Sequence, residues 1–171
     1  MNTQQPPISP VPPPVPSALA VQGLIDAVSN NLGEDGLILP LSPTQWETLA
    51  NYMQPLTMAA GQILFKQGAA DRTLYLVESG TLSVHFEDKQ GRIRLAIVGA
   101  GSAVGEGGFF SQRPRSATVQ VGSACTLWSL STTRFTELSH RKPEIALQVA
   151  MAAGAVVAKR LANSKFRGAV T

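Results

Sequence analysis

From Pro55 to Leu130 the chain runs as short stretches in which apolar and polar residues alternate, broken by Gly61, Gly68, Gly80, Gly91, Gly99 and Gly101. Alternation with a period of two places one set of side chains on each face of an extended strand, and glycines at the breaks supply turns. Candidate strands are Gln62 to Lys66, Leu74 to Glu78, Leu82 to Glu87, Arg92 to Val98, Ala117 to Val121 and Thr126 to Leu130. Many short strands with glycine turns predict a mainly β chain, a double-sheet jelly roll or barrel with flanking helices.

The flanks read differently. Residues 1–16 hold most of the prolines, with Pro12, Pro13 and Pro14 at the centre, and are expected to form a disordered, partly polyproline II tail. Val21, Leu24, Ile25 and Val28 share one face of a helix expected from Ser17 to Asn31, followed by a loop to Leu41. Ser42-Pro43-Thr44-Gln45 is a capping box with Pro at the first helical position. It starts a helix to about Met53 that buries Trp46, Leu49 and Met53. Ser131 caps a helix containing Phe135 and Leu138, and another helix runs from Pro143 to about Asn163. Its middle, Ile145 to Ala158, is apolar nearly all round. That predicts burial on more than one side, against the roll and against either a twin helix in a homodimer or Val21 to Val28. This stretch is shorter than the ~20 residues that cross a bilayer, so no membrane partner is expected.

Between the strands lies Gly105-Glu106-Gly107-Gly108-Phe109-Phe110-Ser111-Gln112-Arg113-Pro114-Arg115-Ser116-Ala117-Thr118-Val119. Arg115 offers a planar fork of donors that can grip two phosphate oxygens at once. Main-chain amides at Gly105, Gly107 and Gly108 can approach an anion closely because no side chain intervenes. A helical turn starting near Glu106 adds the positive end of its dipole. Glu106 itself repels a phosphate, so its expected task is to accept a hydrogen bond from a neutral hydroxyl such as a ribose 2'-OH. The layout suits a small cyclic anion.

The run GEGGFFSQRPRSATV resembles the phosphate-binding cassette of the cyclic nucleotide-binding domain family. That family includes protein kinase regulatory subunits, gated channels and the bacterial catabolite activators. The resemblance extends from about Ser42 to about Ser164 and implies an eight-stranded β-roll. It implies that Glu106 binds the ribose 2'-OH and Arg115 the equatorial phosphate oxygen, with Gly105, Gly107, Gly108, Ser116 and Ala117 around them. Val84 and Leu95 fall where relatives line the base pocket, and Arg160, Asn163 and Ser164 where a lid over the base would come, although solvent exposure is the plainer expectation for these three. Gly107 departs from the Leu or Ile usual at its position. The implied division is a tail at 1–16, a helix and loop at 17–41, the binding domain at 42–164 and a tail at 165–171.

The ligand so implied is cAMP or cGMP, between which Ser116 does not decide. The single cysteine, Cys125, rules out an internal disulfide and a cysteine zinc cluster, and His85 and His140 have no partners at metal-ligand spacing. No metal, cofactor or nucleophile-base pair is expected, hence no enzyme. Residues before Lys66 carry Asp26, Glu34, Asp35 and Glu47 and no Lys or Arg, whereas all fourteen basic residues lie from Lys66 onward. That half favours anionic ligands. Its cations are scattered without aromatic platforms, and the residues after His140 are too few for the last helix plus a helix-turn-helix, so direct DNA binding is disfavoured. The expected function is a cytoplasmic cyclic nucleotide sensor or adaptor that signals to an unidentified protein partner by moving its C-terminal helix. Its alternatives are a Crp-like regulator within a transcription complex and a degenerate, ligand-free interaction module. On this reading Arg115→Ala abolishes binding and leaves the fold intact.

Overall fold

The computed structural model describes residues 18–163 and residue 171. The expected proline tail, the Ser17 cap, the lid position at Ser164 and all but the last residue of the 165–171 tail lie outside the described residues.

The elements run α1 (Ala18–Asn30), α2 (Pro43–Ala50), β1 (Gln54–Met58), β2 (Ile63–Phe65), β3 (Leu74–Glu87), β4 (Ile93–Val98), β5 (Ala103–Val104), α3 (Glu106–Ser111), β6 (Thr118–Leu130), α4 (Thr132–Arg141) and α5 (Pro143–Ala162). The capping box forms as its residues dictate: Gln45 N–H donates to Ser42 Oγ at 3.3 Å and Ser42 N–H donates to Gln45 Oε1 at 2.9 Å. Ser131 caps α4 by accepting from Arg134 N–H at 3.2 Å. Met53 is buried, as expected, but beyond the end of α2.

The strands form a mainly antiparallel β structure organised on two long members. The first half of β3 pairs with the second half of β6 (Leu76 opposite Trp128) and the second half of β3 with the first half of β6 (Val84 opposite Val119). β1 and β5 extend one half, through Leu56–Leu127 and Leu76–Ala103 pairings, while β2 and β4 extend the other. Side chains from both halves share one cluster containing Phe65, Val77, Val84, Ala96, Val119 and Leu127, so the halves face each other as the two layers of a roll.

Two pairs of candidate strands are therefore continuous. Gly80 sits inside β3 with φ +83°, and the register shifts around it, between Val77 and Leu82. A positive φ serves a bulge as well as a turn, and here it bends the strand from one layer to the other. Dividing β3 and β6 at this bend turns the six strands among the described residues into the expected eight. β1 was not among the candidates. It contains Pro55, which an edge position tolerates because no inward N–H is required there.

Alternate residues of the first half (Leu74, Leu76, Trp128, Leu130) point out of the roll into a second cluster with Val21, Leu24, Leu49, Leu138, Ile145 and Val149. The helices thus cover one layer. Within this chain α5 is buried along one face, in one cluster with Val21, Leu24 and Val28, while Leu147, Met151 and Leu161 on its other face are exposed. α5 is 20 residues long and an 18-residue stretch of it has a mean hydropathy of 1.5, the length and composition of a membrane span. The packing of Ile145, Val149, Ala152 and Val156 in the core accounts for that hydropathy.

Candidate functional site

Gly105 opens the site. Its φ of +87° is left-handed, and a Cβ there would stand 2.6 Å from Nη1 of Arg115 and 2.5 Å from the Thr73 carbonyl oxygen. Only glycine permits this approach of main chain to guanidinium. α3 begins at the next residue, which turns Glu106 inward, and both Glu106 and Arg115 are buried.

Arg115 is held from three sides. It donates through Nη1 to the Gly105 carbonyl at 3.0 Å, through Nη2 to the Thr73 carbonyl at 2.6 Å, and through Nη2 to Asp71, with which it forms an ion pair. The Phe65 ring lies 4.0 Å from the guanidinium carbon, a cation–π contact. Its Nε has no hydrogen-bond partner among the described residues. Burial raises the Asp71 carboxyl, but hydrogen bonds from Arg115 and Thr73 and the charge of Arg115 outweigh this and hold it below the ordinary carboxylate range. Burial, and then the Asp71 charge, push the Tyr75 hydroxyl up.

Glu106 has a different partner. Arg160, near the end of α5, donates through Nη1 to Glu106 Oε1 at 2.7 Å and through Nη2 to Ser102 Oγ at 3.0 Å and the Ala103 carbonyl at 2.8 Å. Asp35 lies 3.4 Å from the same Nη2. Arg160 is fully buried, which corrects the expectation that it faces solvent. Asn163 donates to Glu34, and Lys159 donates to the Gly36 carbonyl at 3.4 Å. The end of α5 is thus fastened to the loop after α1 and, through Arg160, to the cassette.

Thr171 lies against Glu106 and the cassette amides. Gly105 N–H donates to its hydroxyl at 2.6 Å, and Gly107 and Gly108 N–H donate to its main-chain oxygen, the latter at 3.2 Å. Its hydroxyl donates to Glu106 Oε2 at 3.1 Å and its N–H to Oε1 at 3.3 Å. Three main-chain donors and one carboxylate therefore converge on a single small group that carries a hydroxyl and a carbonyl oxygen.

Of the residues singled out from the sequence, Gly105, Glu106, Gly107, Gly108 and Arg115 come together here. Ala117 and Val84 are fully buried within the roll cluster. Ser116 is exposed beside Arg115. Leu95 is not brought to the site: it is 60 % exposed, on the face of β4 opposite to buried Ala96 and Val98. His85 is an ordinary strand residue, its Nε2 2.8 Å from Ser83 Oγ, and Cys125 is buried in the roll cluster. Sequence reasoning missed Asp35, Asp71, Ser102, Thr171 and the role of Arg160. The one available signal was the charge imbalance, which leaves Glu34 and Asp35 without a cation nearby in sequence.

The Cyclic nucleotide-binding domain profile matches residues 55–142. Over 109 residues, 63% of this chain and 27% of the relative, the sequence is 28% identical to a cAMP-dependent protein kinase regulatory subunit of Blastocladiella emersonii. It is 31% identical over 100 residues to the cAMP-activated global transcriptional regulator CRP of Escherichia coli, covering 57% of this chain and 46% of that one. The chain thus spans less than half the length of these relatives. A cyclic nucleotide-binding domain from Methylobacillus flagellatus superposes with a TM-score of 0.76 at 22% identity, covering 88% of this chain and 83% of that one, a likeness of fold. The regulatory domain of Toxoplasma gondii PKA with cAMP superposes with a TM-score of 0.53 at 30% identity, over 68% and 41% of the two chains. The profile match spans the whole roll, the cassette and α4, and on that ground the chain belongs to the cyclic nucleotide-binding domain family, a family of regulatory binding domains.

Proposed function

We propose that this chain is a sensor or adaptor without catalytic activity that binds cAMP or cGMP and signals to a protein partner through movement of α5. The observation that carries the reading is the convergence of the Gly105, Gly107 and Gly108 amides and the Glu106 carboxylate on one hydroxyl and one carbonyl oxygen. A carboxylate tolerates a hydroxyl and rejects a phosphate, whereas amides and a guanidinium attract one. The site therefore has separate elements for a ribose 2'-OH and a cyclic phosphate. Arg115 is assigned the phosphate, for which its Nε retains an unused donor. Ser116 and Ala117 flank it, and Val84 lines the apolar interior toward the base.

Signalling follows from the contact between Glu106 and Arg160. A ligand hydroxyl that engages Glu106 acts on the same carboxylate that fastens α5, so the nucleotide shifts the balance between poses of the helix. Leu147, Met151 and Leu161 on the exposed face are the surface through which a partner, or a second copy of the chain, would respond. We retain 42–164 as the binding unit and a cytoplasmic location, in keeping with one unpaired cysteine.

The test is calorimetry on the purified chain with cAMP, cGMP and cyclic dinucleotides. Saturable heat with a cyclic mononucleotide supports the reading. No heat and no thermal shift with any of them favours a ligand-free interaction module. Likeness to the Escherichia coli transcriptional regulator motivates a second reading, participation in a transcription complex. That reading requires binding to duplex DNA that falls steeply with salt.

A further inference from the structure

Glu106 and the cassette amides are already engaged by the chain itself. We propose that Thr171 is an internal ligand of the cassette, which a cyclic nucleotide must displace in order to bind; this rests on the cyclic nucleotide reading given above.

The Thr171 hydroxyl stands between a donor, Gly105 N–H, and an acceptor, Glu106 Oε2, as a sugar hydroxyl would. Its main-chain oxygen accepts from Gly107 and Gly108 N–H, as an anionic oxygen would. A nucleotide using those groups cannot share them with Thr171. Gly107 is what admits the residue: a Cβ at that position would stand 2.8 Å from the Thr171 oxygen and 3.1 Å from its carbonyl carbon. Thr171 follows Asn163 by eight positions, and Asn163 is held by Glu34. A group on so short a tether competes at an effective concentration on the order of millimolar. The apparent affinity for an added ligand falls in proportion to the fraction of cassettes left open. The cassette is thereby set to answer a higher nucleotide concentration than its own contacts alone would dictate.

The experiment compares the 171-residue chain with its Thr171→Ala variant by calorimetric titration with cAMP and cGMP. Amide exchange at Gly105, Gly107 and Gly108 is followed in both without nucleotide. Loss of the hydroxyl removes two hydrogen bonds, so the variant is expected to bind about three- to tenfold more tightly. Its Gly105 amide is expected to exchange faster than in the parent chain. Equal or weaker affinity in the variant overturns the proposal while leaving the cyclic nucleotide reading in place. If neither chain takes either nucleotide, the reading above fails and exchange alone decides. Gly105 protected only in the parent then supports internal occupation, and equal exchange in the two chains overturns it. Should Thr171→Ala not fold, Gly107→Ala serves the exchange comparison, its added methyl directed at the Thr171 oxygen. Faster exchange at Gly108 supports the proposal, and unchanged exchange overturns it.

Discussion

Arg160 on α5 and Glu106 at the start of α3, 54 residues apart, meet at 2.7 Å with both side chains fully buried. Removing one member of such a pair strands the other charge away from water, whereas removing both replaces it by packing. Arg160→Met is therefore expected to lower stability by about 3–5 kcal/mol, and Glu106→Gln combined with Arg160→Met to recover much of that loss. Urea denaturation of the single and double variants checks this. A loss in the double variant equal to the sum of the two single losses would show that the pair is not coupled.

Arg115 serves the fold as well as the proposed phosphate contact. Arg115→Ala leaves the Gly105 and Thr73 carbonyls and Asp71 without their donor and empties the space over Phe65. A stability loss of about 2–4 kcal/mol is therefore expected alongside the loss of binding, with the fold retained. Arg115→Lys is the sharper probe of binding. It keeps the charge and loses the planar fork, so nucleotide affinity should fall by at least tenfold with a smaller drop in melting temperature.

Acid stability carries the signature of Asp71. Its carboxyl titrates below the ordinary aspartate value in the folded chain, so the unfolded chain takes up the proton first as pH falls. The stabilisation is complete above about pH 4 and is lost as pH drops through the folded value. Asp71→Asn should therefore be less stable than the parent at neutral pH, and the difference should shrink in acid. Melting temperatures measured from neutral pH down to about pH 3 test the sign.

Leu95 and Val84 make a paired test of the roll. Leu95→Ser alters a side chain that is 60 % exposed and should change stability by less than about 0.5 kcal/mol and nucleotide affinity hardly at all. Val84→Ala removes fully buried methyl groups and should cost roughly 1–3 kcal/mol. A larger loss of affinity in Leu95→Ser than in Val84→Ala would contradict the assignment of faces on β4.

These two residues also show what the sequence conveys. Alternation along Ile93 to Val98 announces a strand with two faces, yet the bulkier set, Ile93, Leu95 and Ile97, faces outward while Ala96 and Val98 face the core. Which face turns inward is set by pairing with β3, a tertiary fact that a period of two does not contain. The cassette was legible because Gly105, Glu106 and Arg115 act within one local run. Gly80 was read as a turn because turn and bulge make the same demand on φ. Arg160 was illegible for another reason: its partners Asp35, Ser102 and Glu106 are 125, 58 and 54 positions away, and nothing local to α5 asks for a buried cation.

A single residue, Lys142, joins α4 to α5: it caps one helix and precedes the other, with φ −142° and ψ 66°. At 1.5 Å per residue, Arg160 stands about 27 Å along the helix from that joint. Pivoting there by about 10° would sweep the guanidinium through about 5 Å, farther than any hydrogen bond can stretch. On so long a lever, a slight angular change at the joint with α4 would be enough to part Arg160 from Glu106.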